Sequence, residues 1–317
     1  VITDLFAGPG GMDVAARALK VKSVGIEWDD DAVATRLAAR LDTIHGDVTK
    51  YGPADLPESD TLAGGPPCQG FSVAGRGEGR KRLDLVHRRV KLMAARETVP
   101  EDGLDERSAL VLEPLRWILR AKDAGRPYRA VVLEQVQAAR HVWEAYAEVL
   151  RAEGYAVAHG VLNAEQYGVP QTRRRAVLLA RRDGDVALPS PICRPYVKDV
   201  HVHDGDPSLA PYVTMGGALP GRGPFTVISN YGTGGDPDNR GERTSHQPAF
   251  TVTGKISRNR LVGPDGEELP RFSWAEAGRL QDFPLDHPWS GRDIGQQIGN
   301  ACPVGLAAAL FRAVGVA

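Results

Sequence analysis

Cysteine is scarce in this chain of 317 residues: Cys68, Cys193 and Cys302 are the only three, and they lie far apart. That is too few and too scattered for a disulfide framework or a zinc site, so no metal is expected and a reducing cytoplasm fits. Long apolar runs are missing as well. No stretch approaches the roughly 20 residues that span a bilayer, and no basic segment followed by an apolar one opens the sequence, so neither membrane nor export is indicated. An excess of one charge is also absent, since 39 Lys and Arg against 40 Asp and Glu leave a formal net charge of −1. This argues against a uniformly basic nucleic-acid binder, yet a local patch survives in such an average. Between Arg76 and Arg96 eight basic residues, among them Arg80, Lys81 and Arg82, face only two acids, Glu78 and Asp84.

That patch begins just after the most unusual stretch of the chain, Gly64-Gly65-Pro66-Pro67-Cys68-Gln69-Gly70-Phe71-Ser72. Gly64 and Gly65 with the two prolines after them forbid a helix or a central strand, so Cys68 sits in a shaped turn. Residues 60–63 before it read as a short buried strand. Cys68 is therefore expected at a strand's C-terminal end, where open α/β sheets place their chemistry. An ionised thiol is a strong nucleophile, and a turn rich in backbone N–H groups helps it ionise. A buried structural cysteine is the plainer alternative.

The first 50 residues read as a nucleotide-binding βαβ entry. A strand over 1–7 runs into Gly8-Pro9-Gly10-Gly11, a helical pattern follows over 12–19, and the next strand, 21–26, ends in Glu27-Trp28. A carboxylate there accepts ribose hydroxyls, and an indole stacks on adenine. The dinucleotide fingerprint of a dehydrogenase is not met, because its third glycine would fall at Asp13. His45-Gly46-Asp47-Val48 ends a third strand; alone, Asp47 is a helix cap or turn residue.

Further on, Asp105 opens a long amphipathic helix through about residue 121, with a separate helix expected over 83–96. Residues 128–136 form a buried strand carrying Glu134 and Gln135. A helix over 138–153 and a strand over 155–162 lead to Tyr167-Gly168-Val169-Pro170-Gln171-Thr172-Arg173-Arg174-Arg175 and an apolar strand, 176–180. Three adjacent arginines fit an anion site or a solvated turn. From about 184 to 270 Pro and Gly are frequent and helical periodicity vanishes, with short β-like runs at 225–228 and 250–252; this fits a small, loop-rich second domain. Residues 271–284 regain helical spacing, and Gln297 to Val304 open an apolar C-terminal helix.

Taken in order, these motifs resemble the cytosine-5 DNA methyltransferase family. The resemblance rests on Asp-Leu-Phe-Ala-Gly-Pro-Gly-Gly at 4–11, Pro-Cys-Gln at 67–69, Glu134, Tyr-Gly-Val-Pro-Gln-x-Arg-x-Arg at 167–175, Arg279-Leu280-Gln281 with Phe283-Pro284, and Gly299-Asn300-Ala301. It implies a doubly wound, mostly parallel α/β sheet of the Rossmann-like S-adenosylmethionine-dependent type, with a smaller β-containing target-recognition domain. The catalytic domain is expected over 1–183, completed by 287–317, and the recognition domain over 184–286.

The resemblance further implies that Phe6, Gly8, Gly10, Gly11, Glu27, Trp28, Asp47, Val48, Pro66, Asn300 and Ala301 hold S-adenosylmethionine, released as S-adenosylhomocysteine. Cys68 is the expected nucleophile at cytosine C6, Glu134 the acid at N3, Arg175 the donor at O2, and Arg173 its support. Gln69, Ser72, Arg76, Arg80, Lys81, Arg82, Arg240, Arg243, Lys255 and Arg258 are candidate DNA contacts. Gln135 departs from the family's usual Asn, which braces the Pro-Cys turn, and the basic loop 73–104 is longer than usual. The expected partner is double-stranded DNA, in the nucleoid of the cytoplasm, with the chain a monomer and a restriction endonuclease its functional companion. The same chemistry on tRNA and a catalytically lapsed DNA-binding homologue are the alternatives.

Overall fold

The computed structural model of the chain describes residues 1–67, 76–100, 103–232 and 240–316, without the side chains of 76–81, 231 and 232. Cys68, Gln69 and Ser72 lie outside these residues, as do the side chains of Arg76, Arg80 and Lys81.

The N-terminal half alternates strands and helices: β1 (Ile2–Leu5), α1 (Gly11–Ala18), β2 (Ser23–Glu27), α2 (Asp30–Ala38), β3 (Thr43–His45) and β4 (Thr61–Gly64). Then come α3 (Arg76–Ala94), α4 (Glu106–Ala109), α5 (Glu113–Asp123), β5 (Ala130–Val136), α6 (Arg140–Ala152), β6 (Ala156–Asn163) and β7 (Arg174–Arg181). The seven strands form one sheet in the order β3-β2-β1-β4-β5-β7-β6. β1 to β5 pair in parallel, and β7 runs antiparallel between β5 and β6. Every residue of β1 and β4 is buried, as expected of strands covered by helices on both faces. The order reverses between β1 and β4, and such a switch point opens a crevice at the strands' C-terminal ends.

The helix expected from 105 to 121 is broken. Asp105 caps its start by accepting from Ser108 N at 2.9 Å, but α4 passes through a 3₁₀ turn, Leu110–Leu112, into α5. Pro114 is the cause: it has no N–H for the carbonyl four residues back, and it suits the first turn of a new helix. The apolar positions cross the break, so periodicity alone did not reveal it.

The basic segment after the Cys68 turn is not wholly a loop, because α3 buries Val86 and Val90 in the main core. His87 Nε2 also lies 3.0 Å from the His141 carbonyl of α6. Arg96 pairs with Asp123 at 2.7 Å and Glu153 at 2.5 Å, while Arg82 lies 3.5 Å from Asp105. Exposed Arg88 and Lys91 occupy the outer face.

The remainder carries α7 (Met215–Ala218), β8 (Thr226–Gly232), β9 (Arg240–Thr244), β10 (Arg260–Val262), β11 (Glu268–Leu269), α8 (Trp274–Arg279), α9 (Ile294–Asn300) and α10 (Val304–Ala313). The last four strands form an antiparallel sheet, β11-β10-β8-β9, over a separate core that includes Phe225, Val227, Leu261 and Phe272. Residues 250–252 join neither sheet; their hydrogen bonds go to the turn before β7. α10 packs with α1 through Leu306, Leu310 and Phe311 beside Met12 and Ala15, so the C-terminus completes the first core. α9 bridges the two: Ile298 lies in the second core, and the Gln297 Oε1 accepts from Thr35 Oγ1 of α2 at 2.6 Å. Among the described residues no helix is long and apolar enough to cross a membrane.

Candidate active site

Five strand ends meet at the crevice. After β1 the chain turns sharply: Phe6 takes φ 60°, unusual for a residue with a side chain, and Gly10 takes φ 100°. A Cβ on Gly11 would stand 2.1 Å from the Cys302 carbonyl oxygen, so only glycine lets α1 start against the link between α9 and α10. The next strand end stabilises this turn. Glu27 accepts from Gly8 N at 2.7 Å, Trp28 N at 2.9 Å and Asp29 N at 2.8 Å. A carboxylate offers about four lone-pair directions, so room for one further donor remains. The Trp28 indole beside it is 65% exposed, and among the described residues nothing lies within 4 Å of a Cβ built on Gly8. Asp47, after β3, caps a 3₁₀ turn by accepting from Thr49 N at 2.9 Å and Thr49 Oγ1 at 2.7 Å. The local reading of that residue as a cap therefore holds, and Val48 beneath it is buried.

β5 and β7 supply the polar centre. Their antiparallel register sets Glu134 opposite Val177 and Val136 opposite Arg175. Glu134 and Arg175 are thus diagonal neighbours on one face, within reach of long side chains. The Arg175 Nε stands 2.8 Å from Glu134 Oε1, both side chains being about nine-tenths buried. The N–H is not aimed at that oxygen, and Glu134 Oε1 has no hydrogen-bond partner among the described residues. A buried carboxylate oxygen left in this state is a receptor for a donor from outside.

Gln135 points to the opposite face and reaches the end of β4. Its Nε2 donates to the Pro66 carbonyl, and its Oε1 accepts from Val136 N at 2.6 Å. The longer amide in place of Asn thus still braces the proline turn. A Cβ on Gly65 would lie 3.6 Å from Glu134 Oε2, so the turn passes directly over the carboxylate.

Arg173 bonds to backbone carbonyls rather than to Glu134. Its Nη1 donates to Val252 O at 2.8 Å, and its Nη2 to Gly299 O at 2.8 Å and Ala301 O at 3.3 Å. Loss of hydration, with the neighbouring Arg175 charge, pushes its pKa down to about 9. It ties the second core and the α9–α10 link to the pocket wall.

The chain as a whole is similar to known proteins in sequence and in fold. Residues 1–101 and 102–202 match the family model described as C-5 cytosine-specific DNA methylase. The chain belongs to this family. Its curated relatives include the Type II methyltransferase M.BsuFI of Bacillus subtilis, 26% identical over 98% of this chain and 71% of the relative. M.AquIA of Picosynechococcus is 30% identical over 72% of this chain and 91% of the relative. Among solved structures, Dnmt2 methyltransferase of S. pombe aligns with TM-score 0.63 at 19% identity, covering 98% of this chain and 96% of that one. The Entamoeba histolytica methyltransferase EhMeth aligns with TM-score 0.64 at 12% identity, over 99% and 97%. At such identities these likenesses bear on the fold alone.

As a C-5 cytosine-specific DNA methylase, the chain is an S-adenosylmethionine-dependent transferase acting on DNA. The crevice fits that cofactor: open space over Gly8, a spare acceptor on Glu27, and an uncovered indole at Trp28. Asn300, exposed and bonded to Gln296 at 2.7 Å, and buried Ala301 lie at the end of α9, beside the Cys302 link that abuts Gly11.

Sequence reasoning missed what lies beneath this turn. Arg36 of α2 is fully buried and donates to Asp13 Oδ2 at 2.6 Å, and Ser23 Oγ donates to Asp13 Oδ1 at 2.7 Å. Burial, reinforced by the Asp13 charge, pushes the Asp4 carboxyl well above the usual carboxylate range. Cys302 was read only as part of a scattered set. Burial first, and then the Glu134 charge, raise its thiol well above the ordinary value.

The candidate DNA contacts separate into two groups. Lys255 and Arg258 are exposed, and Arg240 is half-buried on β9. Arg243, expected to reach DNA, instead turns inward: its guanidinium lies between the Tyr196 and Phe250 rings, 4.5 and 4.4 Å from their centroids. The same group donates to Thr172 Oγ1, Pro248 O and Ala249 O. Arg174, not singled out from the sequence, is exposed at the start of β7.

Proposed function

We propose that the chain methylates C5 of a cytosine flipped out of duplex DNA, through a transient bond between Cys68 and C6. The observation that carries this reading is the Glu134–Arg175 pair set under a proline turn that Gln135 pins two residues before Cys68. Cytosine C5 is a weak nucleophile. Addition of the Cys68 thiolate at C6 makes the ring an enamine whose C5 is electron-rich, dividing one hard step into easier ones. Glu134 holds and protonates N3, and the Arg175 guanidinium donates to O2, where negative charge develops. S-adenosylmethionine, when bound, supplies an electrophilic methyl group on a sulfonium. Loss of the C5 proton and expulsion of Cys68 then restore the thiol and the aromatic ring.

Because a stacked base hides its ring faces, the cytosine must leave the duplex at a cost of a few kcal/mol. Phosphate contacts from the start of α3, with Arg76, Arg80, Lys81 and Arg82, help offset this, together with Arg174, Lys255 and Arg258. Gln69 and Ser72 act from the catalytic turn. Residues 1–183 with 287–317 form the catalytic body, and 184–286 read the target in the major groove. The protein acts as a monomer on chromosomal DNA, with a cognate endonuclease as its functional companion.

The test is transfer of a tritiated methyl group to duplex DNA by wild type and by Cys68→Ala. The account predicts incorporation by the first and none by the second; equal incorporation would rule out the covalent route. A tRNA competitor added in excess separates the RNA reading, which predicts that label moves to tRNA. Gln135 was the one feature favouring a lapsed enzyme, and its bond to Pro66 supports the active reading.

A further inference from the structure

The turn that presents Arg173 and Arg175 is fastened to the recognition side. Ala249 N donates to Pro170 O at 2.9 Å, and Thr172 N donates back to Ala249 O at 2.9 Å. Thr251 Oγ1 donates to Thr172 O at 2.7 Å, and Val252 N donates to Gln171 Oε1 at 2.9 Å. With Arg173 bonded to Val252 O, five bonds run along four residues. Residues 249–252 thus behave as a strap along 170–173, immediately before β7.

Arg243 fixes that strap to the recognition sheet. It sits on β9 opposite Val227 of β8, and its Nη1 reaches Thr172 Oγ1 at 2.9 Å, Pro248 O at 2.9 Å and Ala249 O at 2.8 Å. One amino group therefore touches both halves of the seam. Two aromatic rings, Tyr196 and Phe250, pack against the guanidinium. Tyr196 is itself held edge-on against Tyr212 at 5.7 Å and accepts from Gln247 Nε2 at 3.1 Å.

Building on the cytosine chemistry proposed above, we infer that Arg243 is a positioning residue for methyl transfer: it couples the recognition sheet to the base pocket through Thr172. Movement of β9 on DNA is transmitted to the turn, and from there to Arg175 and its carboxylate partner. A guanidinium suits this task because its planar fork meets several acceptors while its faces stay packed. Arg243 touches no reacting atom in this scheme, so its removal lowers the rate of the committed complex rather than its formation.

The experiment uses the full chain with Arg243→Gln, Arg243→Lys, Thr172→Val and the Gln/Val double substitution. Single-turnover methyl transfer at saturating DNA and cofactor, DNA affinity by anisotropy and thermal midpoint are measured for each. The expected result for Arg243→Gln is a rate lowered at least about tenfold, a factor that about 1.4 kcal/mol in the barrier produces, with DNA affinity within about threefold. Arg243→Lys recovers part of the rate by keeping a cation between the rings. Thr172→Val costs less on the Gln background than alone, as coupled residues do. Weakened DNA binding with an unchanged rate would overturn the inference in favour of a direct contact. So would a rate loss that vanishes at temperatures where the variant is fully folded. If wild type itself leaves cytosine unmethylated, the proposed function fails; if wild type is active and Arg243→Gln equally so, only the role of Arg243 fails.

Discussion

Gln135 offers the sharpest single perturbation, because its two bonds can be separated chemically. Its Nε2 pins the Pro66 carbonyl and its Oε1 accepts from Val136 N at 2.6 Å, with the side chain 9% exposed. Gln135→Glu keeps length and shape and keeps the acceptor, but as a carboxylate it sets oxygen against the Pro66 oxygen. A buried carbonyl so stranded costs about 1–3 kcal/mol, and the turn relieves it by moving. A shift of about 1 Å at reacting groups lowers rates by about 100-fold, which is the loss expected for adduct formation at pH 8. Lowering the pH protonates the new side chain and restores an O–H donor, so the variant recovers toward wild type as pH falls. Gln135→Asn, shorter by about 1.5 Å, is expected to lose about tenfold without that pH dependence. Single-turnover transfer to saturating DNA from pH 8 to pH 5.5, each point normalised to wild type, reads all three. A Gln135→Glu enzyme as fast as wild type at pH 8 would refute the reasoning.

Gly11→Ala drives a methyl group into the Cys302 carbonyl, 2.1 Å away, and is expected to cost about 1–3 kcal/mol in urea unfolding and weaken S-adenosylmethionine binding while DNA affinity holds. Arg36→Met leaves Asp13 as an uncompensated buried charge beside Asp4, and a stability loss of about 3–5 kcal/mol is expected from the same denaturant curves. The Asp4 carboxyl, raised well above its unfolded value, favours the folded state while protonated. Its contribution is complete below the unfolded value, near pH 4, and is lost as pH rises through the folded one, so Asp4→Asn should flatten the decline in stability above pH 4. Lys255→Ala and Arg258→Ala, at exposed positions, should each reduce the slope of log K against log salt by about 0.9 without changing the transfer rate at saturation. An unchanged slope would remove them from the interface.

The strand, glycine turn and helix at residues 2–18 were legible because one local pattern carries each, and Asp47 was legible as a cap for the same reason. Glu134 and Arg175 were legible only by family resemblance; what joins them is the antiparallel register of β5 and β7, which no local pattern encodes. Arg36 looks in sequence like a solvated helix position, and its burial depends on Asp13 from another helix. Arg243 sits in a half-exposed strand and reads as a surface cation; Tyr196, 47 positions earlier, turns it inward. Residues 250–252 have strand composition, yet their partners belong to the turn before β7 rather than to a neighbouring strand.

The central claim concerns a bond between the Cys68 sulfur and a pyrimidine carbon. Duplex DNA carrying 5-fluorocytosine at the target, incubated with enzyme and S-adenosylmethionine, cannot release its C5 substituent as a proton. Intact mass spectrometry should then find protein and DNA joined as a single species, heavier than their sum by one methyl group less the thiol hydrogen, with the link mapping to Cys68 and absent from Cys68→Ala. Recovery of free protein and free DNA under conditions where ordinary cytosine is methylated would contradict the account.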